Sequence, residues 1–304
     1  MDSSIIITFA IPLFFGLILI EFFYGVITKQ NNYRINDAIT SMSLGLISRF
    51  VPILGLGFQY VVYKAVAEHY NLKLLSGEEI WVWVTAFILY DICYYWMHRI
   101  HHEIKVFWAT HVVHHHGEEF NLATALRQTS TGFLWKWVFF LPLFIIGIPP
   151  QMYVTVAGLN LVYQFWVHTE HIGRLGFLEY IFVTPSNHRV HHAQNEDYLD
   201  ANYGGVFILW DRLFGTFIDE RSDLKPVYGT VKPLKSFNPF WANIEVFYQM
   251  IFDSYHTEKF TDKIRVWFSP PNWRPEDVSM KYPIDKNDLS SFEKYDPDIG
   301  LREK

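Results

Sequence analysis

Eight histidines stand in three short clusters whose spacing suits metal binding: His98-x-x-x-His102, His111-x-x-His114-His115 and His188-x-x-His191-His192. Residues four apart on a helix share a face, about 6 Å apart along the axis. His98 and His102 therefore pair, and each of the other clusters offers imidazoles at i, i+3 and i+4. One ion accepts roughly four to six ligands, so eight are too many for one ion and about right for two. Twelve of the chain's 14 histidines lie between His98 and His192. His168 emerges from an apolar run just before the third cluster and reads as a ninth ligand, with His171 a weaker candidate. His101 and His116 fall off the shared faces and read as surface groups or supports for the ligands. His69 and His256 stand apart and read as structural or incidental.

An uncharged, nitrogen-rich ligand set suits iron, zinc or copper, and spacing alone does not choose among them. Structural zinc needs only four closed ligands. A double site with open positions suits oxygen activation and attack on an unactivated C–H bond. Supporting carboxylates are expected to orient the rings. Asp91 lies seven residues before His98 on the same helical face and inside an apolar run, and Glu103 adjoins His102. Both are candidate catalytic-site acids. The alternatives are an interfacial Asp91 paired with Arg99 and a solvated Glu103. Asn121, Arg127, Glu170, Asn187, Asn202 and Asp211 read as caps, turns or surface groups. Arg99 and Arg189 read as contacts for lipid headgroups.

The elements that carry these clusters are apolar. Half of the 304 residues are hydrophobic and 18% are aromatic. Residues 4–27, 40–63 and 80–97 are each long enough, or nearly so, to enter a hydrocarbon layer about 30 Å thick. Phe133 to Val167 makes two passes broken at Gly147-Ile148-Pro149-Pro150, the turn of a hairpin that could be re-entrant. The first segment lacks the basic flank and cleavage site of a removed signal. The expected fold is all-α, an integral membrane helical bundle of about four to five segments with a dimetal site on its cytosolic face. Lys29 and Arg34 follow the first segment, so the positive-inside rule places residues 28–39 in the cytoplasm. Five crossings then bring 98–132 and 168–304 to that same side. Three regions are expected: membrane helices over 1–79, the histidine-box region over 80–220, and a cytosolic tail over 221–304. Within the tail, 240–260 has the composition of an amphipathic helix able to lie on a membrane.

A net charge of −6 gives no reason to expect nucleic-acid binding. The single cysteine, Cys93, excludes an internal disulfide and a thiolate cluster.

The three clusters resemble the histidine boxes of the sterol desaturase/fatty acid hydroxylase superfamily. Asp91-Ile-Cys-Tyr-Tyr-Trp-Met-His-Arg99 resembles the approach to the first box. Thr184-Pro-Ser-Asn-His-Arg-Val-His-His192, Asn202-Tyr-Gly-Gly and Trp210-Asp-Arg-Leu-Phe-Gly-Thr216 resemble the third box and its sequel. The likeness is strong over about residues 80–220. His114-His-His-Gly-Glu-Glu-Phe-Asn121, Phe165-Trp-Val-His-Thr-Glu170, Val227-Tyr-Gly-Thr230 and Pro270-Pro-Asn-Trp-Arg-Pro275 are most similar to the branch that cleaves alkylglycerol ether lipids. The resemblance implies a di-iron monooxygenase using O2, with tetrahydrobiopterin as reductant, in the endoplasmic reticulum or a bacterial inner membrane. It implies hydroxylation of the carbon next to the ether oxygen, after which the hemiacetal falls apart. The runner-up is a sterol or fatty acyl hydroxylase or desaturase fed by an electron-transfer protein. A membrane metal-binding or transport protein is the alternative outside enzymes.

Overall fold

The computed structural model describes residues 3–53, 58–75, 77–284 and 294–296. Those residues form helices and loops, with two isolated β-bridges, Phe182 to Phe207 and Ala193 to Tyr228. The helices are α1 (Ser3–Thr28), α2 (Ile35–Ile53), α3 (Phe58–His69), α4 (Ile80–Glu103), α5 (Lys105–Trp108), α6 (Val112–His115) and α7 (Leu141–Ile146). They continue with α8 (Pro150–Trp166), α9 (Pro185–His191), α10 (Leu209–Phe214), α11 (Pro239–His256), α12 (Phe260–Phe268) and α13 (Glu276–Lys281).

Two helices, α1 from Phe9 onward and α4, are long and apolar enough to cross a membrane. On α1, Phe9 is 71% and Ile27 79% exposed, with Leu13, Leu19 and Phe23 also uncovered. A stripe this large is costly in water and natural in lipid. The other expected segments are broken. Residues 40–63 divide between α2 and α3, and 54–57 lie outside the described residues. Residues 133–167 begin as 3₁₀ turns, continue as α7, and pass through the expected break into α8. Gly147 makes that break at φ 126°, where a side chain is strained and a Cβ would also sit 3.0 Å from Asn71 Oδ1. Pro149 and Pro150 then start α8, since proline costs nothing at a helix's first turn.

The main core lies among α3, α4, α7 and α8. Tyr63, Val82, Ala86, Tyr90, Phe140, Phe144, Met152 and Val156 are its buried residues. Helix α1 lies on α8, where the Phe14 and Phe165 rings stack at 3.9 Å. A polar clasp also holds α1: Glu21 accepts from Leu122 N at 2.7 Å, from Thr169 Oγ1 at 2.5 Å and from the Tyr33 hydroxyl. Below the core, α11 and α12 pack on α5 through Met250, Val266, Val106 and Ala109. Their other faces leave Phe240, Ile244, Tyr248, Ile251 and Tyr255, and then Phe260, Ile264 and Phe268, exposed at helical spacing.

Candidate metal centre

The first box occupies the last turn and a half of α4, the second box is α6 with the preceding His111, and the third is α9 with its C-cap His192. Thr184, Pro185 and Asn187 begin α9 with a capping box. The Thr184 side chain accepts from Asn187 N, and Asn187 Oδ1 accepts from Thr184 N at 3.1 Å. His168 follows the end of α8 by two residues.

These elements bring all nine histidines expected as ligands into two adjoining groups. One holds His98, His102, His111, His115 and His191; the other holds His114, His168, His188 and His192. Within each group the ligand-capable atoms lie within 4.8 Å of one another. The groups touch where the His115 and His192 rings stack at 4.5 Å. In both the second and third boxes the i and i+4 residues share a group, and the i+3 residue joins the other group.

Backbone carbonyls fix several of the rings. His98 Nδ1 donates to Tyr203 O at 2.9 Å, His191 Nδ1 to Ala201 O at 2.9 Å, His114 Nδ1 to Arg127 O at 3.1 Å and His168 Nδ1 to Gln164 O at 2.8 Å. A carbonyl only accepts, so each of these Nδ1 atoms carries the ring proton and leaves a lone pair on Nε2. His114 Nε2 and His168 Nε2 then face each other at 3.2 Å with no proton between them. His102 Nε2 and His191 Nε2 are buried without a hydrogen-bond partner. Burial and the neighbouring rings hold His111, His114, His115, His188, His191 and His192 well below the usual histidine value. Burial takes His168 to about 4.

Neutral lone pairs held this close repel one another unless a cation lies between them. At metal–nitrogen bonds of about 2.1 Å, two ligands stand about 3.0 Å apart at a right angle and about 3.4 Å apart at the tetrahedral angle. The Nε2 pairs His98–His111 and His168–His188 are 2.9 Å apart, and His111–His115 and His188–His192 are 3.1 Å apart. These spacings put the donors of each group within reach of one ion, and the group of five exceeds what a closed tetrahedral zinc site takes.

The expected roles of the acids change. Asp91 is fully buried and accepts from Asn160 Nδ2 at 2.7 Å, Val206 N at 2.9 Å, Phe207 N at 3.0 Å and Trp210 Nε1 at 2.9 Å. It touches no ligand histidine and does not pair with Arg99. It grips the loop that presents the Tyr203 carbonyl to His98. Asp211 grips the same loop through Tyr203 N at 2.7 Å and Gly204 N at 2.8 Å, and burial pushes its carboxyl up to about 6. Glu103 is exposed and pairs with Arg99 at 2.7 Å, so it orients no ring.

Arg127 and Arg189 point inward rather than toward solvent or lipid. Arg127 is 1% exposed, pairs with Asp37 at 3.1 Å and donates to Val113 O at 2.9 Å, tying the second box to α2. Arg189 grips Glu220 through two bonds of 2.7 and 2.8 Å and donates to Thr169 O and Ile172 O. Asn121 and Asn202 hold loops, through Asn32 O and through Asn187 O and Ile218 O, and Glu170 is exposed. His101 and His116 are buried outside both groups, as sequence spacing does not reveal. The orienting carbonyls are also invisible in sequence, because every residue has one.

A cavity of about 610 Å³ reaches the site. Phe14 and Phe15 of α1, Leu46 of α2, Tyr63 of α3 and Phe165 of α8 are among its walls, and His111, His114 and His168 stand on its lining.

The fatty acid hydroxylase family model matches residues 83–216, the stretch that holds all nine histidines and the loop behind them. The chain is 38% identical over 285 residues to alkylglycerol monooxygenase of Xenopus tropicalis, covering 93% of this chain and 63% of that protein. It is 40% identical over 267 residues to alkylglycerol monooxygenase of Homo sapiens, covering 88% and 59%. The ornithine lipid hydroxylase OlsE of Rhizobium tropici is 28% identical over 142 residues, covering 44% and 41%. The chain thus spans 63% and 59% of the length of the two alkylglycerol monooxygenases. No solved structure matches it significantly. Sequence likeness and the clustering of the boxes agree, and residues 83–216 carry a fatty acid hydroxylase domain.

Proposed function

We propose that the chain is a membrane di-iron, O2-dependent lipid monooxygenase that hydroxylates the carbon next to the ether bond of alkylglycerol-type lipids. The observation that carries this reading is the two adjoining histidine groups, both of which border an apolar cavity, one through His111 and the other through His114 and His168. The first ion would be held by His98, His102, His111, His115 and His191, and the second by His114, His168, His188 and His192. Two bound irons would supply oxygen activation. Five imidazoles in one group are more than a closed tetrahedral zinc site takes, which supports iron.

The chain's own residues orient, enclose and exclude. Carbonyls of Tyr203, Ala201, Arg127 and Gln164 hold rings in the ligating tautomer. Aromatic walls take the alkyl chain and keep water out. Gln128, Thr129 and Lys136 on the same lining offer hydrogen bonds to glycerol hydroxyls. A carbon presented beside His114 and His168 needs only to reach the cavity's inner end, so the lipid need not leave the bilayer. We read the site as facing the cytoplasm, because Lys29 and Arg34 follow α1.

Purified protein in lipid nanodiscs, loaded with iron and given alkylglycerol, O2 and a reduced pterin, should release fatty aldehyde. Hydroxylated or desaturated fatty acids or sterols without aldehyde would sink the ether reading. Metal flux without oxygen uptake would sink the enzyme reading.

A further inference from the structure

Two stretches that carry the family resemblance supply no ligand histidine: Glu118-Glu119-Phe120 after the second box, and Val227-Tyr-Gly-Thr230. The fold brings them together around a second cavity of about 300 Å³. Its lining includes His116, Glu118, Glu119, Glu170, Tyr228 and Lys294. The loop of Tyr228 is fastened to the end of the third box, where Gln194 N donates to Val227 O at 2.8 Å and Gln194 Nε2 to Tyr228 O at 3.0 Å. The Tyr228 ring stacks on Phe120 at 4.9 Å, 17° from parallel. Phe120 is 1% exposed and lies 5.2 Å from His192 and 5.6 Å from His168. Two stacked rings, Tyr228 on the lining and Phe120 behind it, therefore separate this cavity from the group of four histidines.

The lining selects a ligand. His116 is 6% exposed and its Nδ1 has no partner, and the Tyr228 hydroxyl lies beside the Glu170 carboxylate. Glu118 Oε2 is engaged by Arg34 and Tyr295 N, and Glu119 Oε1 by Lys294. The other oxygen of each carboxylate bonds to no described residue. Arg34 is already engaged by Glu118 and Lys294 by Glu119, so the carboxylate-rich lining disfavours a phosphate-bearing ligand. The volume is at the low end for small-molecule sites, too small for a dinucleotide. The Tyr228 ring offers a stacking surface, and the carboxylate oxygens accept N–H donors.

Lipid hydroxylation by O2 needs two electrons and two protons from outside: one oxygen atom enters the C–H bond and the other leaves as water. We propose that this second cavity is the reductant site, and that it takes a small, uncharged, planar heterocycle with N–H donors along one edge, the chemistry of a reduced pterin. The reductant loses the two electrons and two protons. The inference rests on the monooxygenase reading and adds a port separate from the lipid cavity.

The test is equilibrium binding. Iron-loaded full-length protein in nanodiscs is titrated with tetrahydropterin under nitrogen by calorimetry. Saturable binding at one site per chain, not displaced by alkylglycerol, is expected. Glu118→Gln with Glu119→Gln, and Tyr228→Leu, should each weaken it at least tenfold while metal content and alkylglycerol binding hold. Thr230→Trp, which fills the cavity from another wall, should do the same and decides the matter if a carboxylate variant fails to fold. Competition with the lipid, indifference to all these variants, or no binding would overturn the proposal. Chemically reduced wild-type protein separates the two readings. If it oxidises the ether lipid in one turnover while pterin does not bind, only the cavity assignment falls. If pterin binds as expected and no lipid is oxidised, only the oxygenase reading falls.

Discussion

His114 and His115 are consecutive in the chain yet sit in different histidine groups, as do His191 and His192. A helix turns about 100° per residue, so neighbours diverge while residues four apart stay together. This is why eight ligand candidates could be read from spacing, with His168 added from its place at the end of an apolar run. The acids could not be read as well, because a carboxylate near a ligand in sequence can serve a loop that arrives from elsewhere. Asp91→Asn should separate the two cases. It turns an acceptor of four bonds into a partial donor facing N–H groups, at a cost of about 2–4 kcal/mol. Thermal unfolding in detergent should show that loss together with weaker iron retention. Glu103→Gln breaks only a half-exposed ion pair and should cost under about 1 kcal/mol with turnover kept.

The same rings set a pH dependence for the metal-free protein. His168 is lowered from about 6.5 to about 4 by burial. The unfolded chain therefore binds the proton first as pH falls. The stability tied to the neutral ring is present above about 6.5 and is lost between there and about 4, at roughly 1.4 kcal/mol per pH unit. The other depressed rings add to the same slope. The unfolding free energy of iron-free protein should fall steeply from pH 7 through 6 to 5, and a flat profile would contradict the buried neutral assignment.

At the scale of elements, the starts and stops were legible where the chain carries its own signal. Thr184-Pro-Ser-Asn spells the capping box of α9, and Gly147-Ile-Pro-Pro spells the break before α8. The 201–207 loop gave no such signal. Its conformation is imposed from outside by Asp91 and Asp211, and by close contact with α4. A Cβ on Gly205 would meet Tyr94 Cδ1 at 2.8 Å and Asp91 Oδ1 at 2.9 Å. Gly205→Ala should therefore push the loop off α4, withdraw the Tyr203 carbonyl from His98 and lower iron content, measured per chain by elemental analysis. Gly147→Ala strains a turn remote from the boxes and should cost about 1–3 kcal/mol with iron content unchanged.

At the scale of the molecule, the segment count is the least legible feature, because short apolar pieces look like crossings in sequence. Among the described residues, only α1 and α4 are continuous enough to span alone. The proposed topology puts residues 30 and 173 on one side and residue 73 on the other. With Cys93 replaced by serine, Gln30→Cys, Lys73→Cys and Gly173→Cys report this through an impermeant maleimide. Labelling of 30 and 173 from the cytoplasmic side, and of 73 from the opposite side, is expected. If α1 and α4 alone crossed, 30 and 73 would label together and 173 would not. The uncovered stripe on α11 and α12 belongs to the same question, since a chain that enters the bilayer has a surface ready to receive it.

The crossing-over of imidazoles between the second and third boxes has a thermodynamic consequence. With an ion in each group as proposed, each of those two segments would be tethered to both cations, so the arrival of one would pre-order donors that the other requires. Uptake should be cooperative, with half-loaded molecules scarce during iron titration. The protein would then pass abruptly from empty to fully loaded as available iron rises.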